Sequence, residues 1–204
     1  MKYKNLITAL GLSFLAFLGN IKFAKFDYDP HHDGYIVAIA IAVRDHGVVF
    51  RDVFSQYGSM SAWIQGFWLR IFFHDQPILG LRVLNVLFIS AIVFLLAIAG
   101  SNMPRNWHIR PWMGYLASVS WLILNDVYTH VPMLPWPALI ATFFTVLGFI
   151  LTGKSIFYLE IHRKNLSLIF IYLAGIAFTA SIFTRQSIGA LNIFAFYLLL
   201  ILGY

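Results

Sequence analysis

A chain of 204 residues that is 60% hydrophobic, 18% aromatic and only 11% charged has more apolar surface than one soluble core can hide. Soluble domains carry about 25% charged residues, so the surplus here must face lipid. With no cysteine, a disulfide framework and a Cys-ligated metal site are excluded. The net charge of +6 comes without a basic run or a recognisable binding module, which argues against nucleic acid as a partner.

A spanning helix needs about 20 mostly apolar residues. The first candidate covers 6–23, behind Lys2 and Lys4. A basic start before an apolar stretch also describes a signal peptide. Asn20, Lys22 and Lys25 offer no small-residue cleavage site, so this segment reads as an uncleaved first span. Residues 24–77 then form a long outer loop with two apolar stretches too short to span. One covers 35–43. The other, 59–73, repeats Met60, Trp63, Ile64, Phe67, Trp68, Ile71 and Phe72 at three- and four-residue spacing, with Gln65 and Arg70 off the stripe. That pattern predicts a helix lying in the membrane interface. The polar segment Arg51 to Gly58 joins the two and carries a turn signal. Further spans are predicted at 78–99, at 111–127, from the Pro135-Trp136-Pro137 element to 153, at 166–183 and at 188–204. Proline suits a first helical turn. The expected fold is all-α: one polytopic membrane domain over 1–204 with about six spans. The last span is short and no polar tail follows it, so the chain reads as a fragment or a truncated reading frame.

Charge supports this map. With the N-terminus inside, the cytoplasmic segments hold seven Lys and Arg residues and one acid, Glu160, while the outer segments hold seven basic and seven acidic residues. The net positive charge therefore falls on one side, as the positive-inside rule requires. The expected location is the cell membrane, a prokaryotic plasma or inner membrane, with several passes and a cytoplasmic N-terminus.

Six of the eight acids lie between Asp27 and Asp75. The densest group is Asp27-Tyr28-Asp29-Pro30-His31-His32-Asp33-Gly34, directly after the first span. Its carboxylates offer a general base for a hydroxyl proton. With the imidazoles they also offer oxygen and nitrogen ligands for a divalent cation. The blander account is a solvated loop at the water boundary, and spacing alone favours it. Asn125 and Asp126, with His130 beyond, stand at the outer end of the third span. Polar groups at that depth are functional candidates, though a helix end reaching water explains them equally well. Arg82 opens the second span and Arg185 closes the fifth. Their paired donors suit a phosphate, and snorkelling to headgroups is the simpler account. Trp112, Trp121 and Trp136 read as interfacial-belt or packing residues.

Asp29-Pro30-His31-His32-Asp33-Gly34-Tyr35, followed by Arg51-Asp52-Val53-Phe54-Ser55-Gln56-Tyr57-Gly58, resembles the N-terminal part of GT-C glycosyltransferases. These polyprenyl-phosphate-sugar-dependent enzymes include protein O-mannosyltransferases, aminoarabinose transferases and rhizobial lipopolysaccharide transferases. Arg82 and Thr184-Arg185-Gln186-Ser187-Ile188-Gly189 look like further features of the group. Ser59 departs from the Pro or Ala more familiar after Tyr-Gly. The resemblance covers the whole chain but only the first half of a typical member. It implies inverting transfer of a sugar from a lipid-linked donor to a hydroxyl of a glycan, lipid or protein acceptor on the extracytoplasmic side. It also implies a catalytic Asp just after the first span. Asp33 best matches the family's acidic motif, Asp29 and Asp27 compete for that role, and Asp52 is a supporting or acceptor-contacting carboxylate. His32, Tyr57, Arg82 and Arg185 are the implied substrate-binding residues. No residue is assigned to a metal, a divalent cation stays open, and no organic cofactor is implied.

Two other readings compete. An inactive, truncated remnant of such an enzyme would carry the same motifs. A transporter or flippase would show interrupted helices and charges near the bilayer midplane, whereas the predicted spans carry their charges near the ends.

Overall fold

The computed structural model describes residues 3–22, 32–102, 111–128, 134, 136–187, 189–191 and 194, with 32, 33, 101, 102, 111 and 124–128 described by backbone alone. Among these the chain is all-α. Its helices are α1 (Tyr3–Ile21), α2 (His32–Arg44), α3 (Ser59–Phe72), α4 (Pro77–Asn102), α5 (Pro111–Tyr128), α6 (Pro137–Glu160) and α7 (Lys164–Thr184). Prolines open α4, α5 and α6, where the missing N–H costs nothing because first-turn amides have no partner within the helix.

Among the described residues four helices, α1, α4, α6 and α7, are long and apolar enough to cross a membrane. The third expected span folds as a helix, α5, whose side chains are described over Trp112–Ile123. The sixth, 188–204, falls almost wholly outside the described residues. Both short stretches of the predicted outer loop fold as helices, α2 and α3.

The packing inverts the pattern of a water-soluble bundle, with small and hydroxyl side chains between helices and large apolar ones outside. Ala9 and Ala16 of α1 are buried, and the Ser13 hydroxyl donates to the Ser90 carbonyl of α4 at 2.8 Å. On α5 the Ser118 hydroxyl donates to Val93 of α4 at 2.8 Å. Gly114 lies so close that a Cβ there would come within 2.6 Å of the Leu96 oxygen. Between α6 and α7, Gly148 receives the Phe178 ring, and the hydroxyl pairs Thr145–Ser181 and Ser155–Ser167 each meet at 3.0 Å. Outside, Phe14, Leu116, Leu168 and Tyr172 are all more than half exposed. Water would penalise that surface and hydrocarbon would not. Where lipid removes the hydrophobic drive, close approach and interhelical hydrogen bonds hold helices together.

α3 follows the same inverted rule. It buries Ser61, Ala62, Gln65, Gly66 and Leu69. It exposes Trp63, Phe67, Ile71 and Phe72, the greater part of its apolar stripe. Ile64 and Trp68 flank a core formed by Ile36, Val37 and Ala40 of α2, Leu69 of α3, Leu81 and Leu84 of α4, and Leu134. Gly66 lets α3 approach α2 closely, since a Cβ would press on Val43 and on the Arg44 nitrogen.

Two arginines tie the ends of α2 and α3 together. The chain leaves α2 through left-handed His46 (φ 73°), with Gly47 N–H bonded to Ala42 O at 2.7 Å and His46 N–H to Val43 O at 3.2 Å. This pairing uses some of the carbonyls that a helix end leaves over. Arg70 of α3 donates to Arg44 O at 2.9 Å and adds a second bond to Val43 O at 3.0 Å. Arg44 in turn donates to Asp45 and to the His74 carbonyl. The Arg44 guanidinium holds the Asp45 carboxyl below its ordinary pKa.

Candidate functional site

The α2–α3 connection is built rather than slack. Val49 and Val53 pair in an isolated bridge and share a buried cluster with Ile39, Val43 and Ala62. The Asp52 carboxylate closes the turn by accepting from Val48 N–H at 2.8 Å and from the Arg51 guanidinium at 2.7 and 2.9 Å. Those donors, Arg51 first and then the Val48 amide, hold its carboxyl at about 2, below the usual 3.8. Held by these three donors, the carboxylate clamps the turn.

Beyond the turn, three separate segments converge. Gln56 N–H donates to the Tyr35 hydroxyl at 2.9 Å, which ties the connection to the start of α2, two residues from Asp33. The Ser55 hydroxyl accepts from Tyr57 N–H at 3.3 Å and donates to Tyr57 O at 3.1 Å, fixing the bend ahead of α3. Gly58 N–H then donates to Thr184 O, the last residue of α7, at 3.2 Å. The Arg185 guanidinium lies over the Tyr57 ring at 5.6 Å, and Trp136 meets the same ring edge-on at 6.4 Å. A cation over a tyrosine face is held by the ring quadrupole, which orients Arg185 at the end of α7.

Gly58 is the residue that permits this junction. Its φ of −68° is open to any side chain, so the turn signal read in the sequence is not why glycine stands here. A Cβ would collide with the Phe183 carbonyl. Below the junction, α3 and α7 enclose an apolar groove of about 970 Å³, lined by Met60, Trp63, Tyr172, Ile176, Thr179 and Phe183 among others. It reaches Ser59 and Phe183, the chain neighbours of Gly58 and Thr184.

Of the residues expected to form a site, Tyr57 and Arg185 are brought together directly. His32 and Asp33 form the first turn of α2, placed by backbone only. Asp52 is the clamp of the turn. Arg82 is buried, at 7% exposure, in the second turn of α4. Asp27, Asp29, His31 and His130 lie outside the described residues, and Asn125 and Asp126 are placed by backbone only at the end of α5. Among the described residues no three His, Asp or Glu side chains gather as a metal site. Sequence reasoning passed over Tyr35 and Trp136 as contacts of the junction. Tyr35 was legible in principle, since it closes the motif that contains Asp33. Compared with family models, curated proteins and solved structures, the chain finds no match.

Proposed function

We propose that the chain is a membrane glycosyltransferase of the polyprenyl-phosphate-sugar-dependent GT-C class. In this reading α2 and α3 lie flat in the outer interface of a prokaryotic cell membrane, the N-terminus is cytoplasmic, and α5 and 188–204 complete about six spans. One observation carries it. Three segments that bear the resemblance are far apart in sequence and are linked in series, Tyr35 to Gln56, then Gly58 to Thr184 and Tyr57 to Arg185.

The chemistry follows from what stands there. Asp33 takes the proton of an acceptor hydroxyl, and the freed oxygen attacks the anomeric carbon of the lipid-linked sugar. The bond from that carbon to the lipid phosphate oxygen breaks, and the phosphate leaves with the electron pair. Arg185, oriented by Tyr57, meets the developing phosphate charge, where a preorganised cation stabilises the transition state most. The groove between α3 and α7 offers the isoprenoid chain an apolar bed beside that cation. Asp52 is left out of the chemistry, and Asp33 is preferred as the base because its position opens α2 beside the junction. Acceptors of all three kinds, glycan, lipid and protein, fit this scheme.

The test uses a photoactivatable polyprenyl phosphate on the purified chain in vesicles. Labelling within α3 and α7 is expected, competed by unlabelled polyprenyl phosphate and not by phosphatidic acid, and lost in Arg185→Ala. Asp33→Asn is expected to keep the labelling and the membrane insertion and to lose sugar transfer from a radiolabelled lipid-linked donor. Equal competition by phosphatidic acid overturns the donor assignment, and wild-type transfer by Asp33→Asn removes that residue from the mechanism.

A further inference from the structure

The turn between α2 and α3 shows a surface that glycosyl transfer does not use. Val49 and Val53 point inward, and the apolar side chains beside them point out: Val48 is 42% exposed, Phe50 63% and Phe54 74%. Phe50 also sits at φ 70°, in the left-handed region that bulky residues avoid. Glycine or asparagine would hold this backbone at lower cost. The conformation is nonetheless fixed from several sides. Phe50 N–H bonds to Val53 O at 2.8 Å, Arg51 N–H to Val48 O at 3.2 Å, Asp52 N–H to Val48 O at 2.8 Å, and the Asp52 carboxylate accepts from Val48 N–H. The turn thus spends hydrogen bonds and backbone strain on displaying a phenyl ring. Such strain, where the surroundings over-determine it, marks a functional position.

What the ring meets follows from where the turn is tethered. Four residues past Phe54, Gly58 is bonded to the last residue of α7, a helix long and apolar enough to span a bilayer. The turn is therefore held at the level where a spanning helix leaves the hydrocarbon. α3, which continues from it, turns Trp63, Phe67, Ile71 and Phe72 outward in the same way. The charge on the turn is already neutralised, since Arg51 and Asp52 pair at 2.7 Å. A displayed apolar tip with an internally paired charge, at a membrane boundary, matches hydrocarbon and not water.

We propose that residues 48–54 form a lipid-inserting turn, in which Phe50 and Phe54 enter the bilayer interface and fix the depth of the α2–α3 layer. The occupant of this surface is the membrane itself. Glycosyl transfer is not assumed, and only the depth of the turn is at issue.

Because the chain has no native cysteine, Phe50→Cys and Phe54→Cys can each carry a single environment-sensitive fluorophore on the full chain in phosphatidylcholine–phosphatidylglycerol vesicles. Asp75→Cys is the aqueous control, since the Asp75 side chain is 96% exposed. Interfacial apolar groups sit about 5–10 Å into the headgroup–acyl boundary, within reach of a lipid carrying a quencher high on its acyl chain. Labels at 50 and 54 are expected to emit to the blue of the label at 75, to lose more than half their intensity to the lipid quencher, and to resist aqueous iodide. Phe54→Cys is the decisive variant if loss of the Phe50 side chain reshapes the turn. Iodide quenching equal to that at position 75 overturns the proposal. Insensitivity to both quenchers also overturns it, since the turn would then be covered by protein.

Discussion

Gly58→Ala adds one methyl group where the chain passes closest to itself, and it is expected to be disproportionately costly. The new Cβ would collide with the carbonyl of Phe183 and crowd Thr184, and these are backbone atoms at the end of a long helix, not a side-chain tip that can swing away. Relief requires α3 to lift from α7. That forfeits the Gly58–Thr184 hydrogen bond at 3.2 Å and the stacking of Arg185 over Tyr57 at 5.6 Å. Overpacking costs about 1–3 kcal/mol, a backbone hydrogen bond about 0.5–1.5 and a partly exposed cation–π contact about 0.5–1, for a total of about 2–5.5 kcal/mol. Gly58 is also the N-cap of α3, where glycine is preferred to alanine by about 0.5–1 kcal/mol, too little to give the whole effect. The matched control is Gly11→Ala in α1, where a Cβ meets nothing within 4 Å. At a helix-interior site of that kind, alanine gains about 0.5–1 kcal/mol. Both variants are compared with the parent by unfolding the full chain in mixed micelles with a denaturing detergent, followed by far-UV circular dichroism. If Gly58→Ala costs no more than the cap difference, the close approach of α3 to α7 is wrong and the junction built on it fails.

Three further outcomes follow from the same geometry. The Asp52 carboxyl is depressed from 3.8 to about 2, so the stability it lends the turn is fully present above its ordinary pKa and is lost as pH falls through about 2. A fluorophore at Phe54→Cys should therefore report no change from neutral pH down to about 4 and a transition below it, absent in Asp52→Asn; a transition near pH 6 would contradict the clamp. Arg70→Met removes two charged donors from the end of α2, and at this exposed site a loss of about 1–2 kcal/mol is expected, with faster amide exchange confined to the last turn of α2 and its exit; unchanged exchange there would refute the capping role. Thr145→Ala and Ser181→Ala, read as a double-mutant cycle in the same detergent titration, should couple by about 0.6 kcal/mol, the typical value for a hydrogen bond between spanning helices; zero coupling would mean that the two hydroxyls do not meet in the membrane.

The sequence alone determined where the helices are and what medium suits them. Apolar runs, the prolines at 111 and 137, and the three- and four-residue repeat of 59–73 are local signals, because transfer free energy and backbone geometry act over a few turns. They placed α1, α4 and α7 to within three residues at each end, set the start of α6 but ended it seven residues short of Glu160, and gave α2 and α3 as short helices within one loop. Which face of α3 turns inward was not decided by its apolar stripe. Here the small face packs and the large one is left exposed, as Ala62 and Gly66 against Phe67 show, the arrangement that suits a lipid-embedded fold. The role of Gly58 also needed the tertiary structure, because its φ is ordinary and only the arrival of Phe183 from α7 forbids a side chain. Asp52 was expected as a supporting or acceptor-contacting carboxylate, and only the folded turn places Arg51 and the Val48 amide on it. The meeting of Tyr57 with Arg185 joins segments with no local signal in common, since such contacts depend on how whole helices dock and not on the composition of either segment.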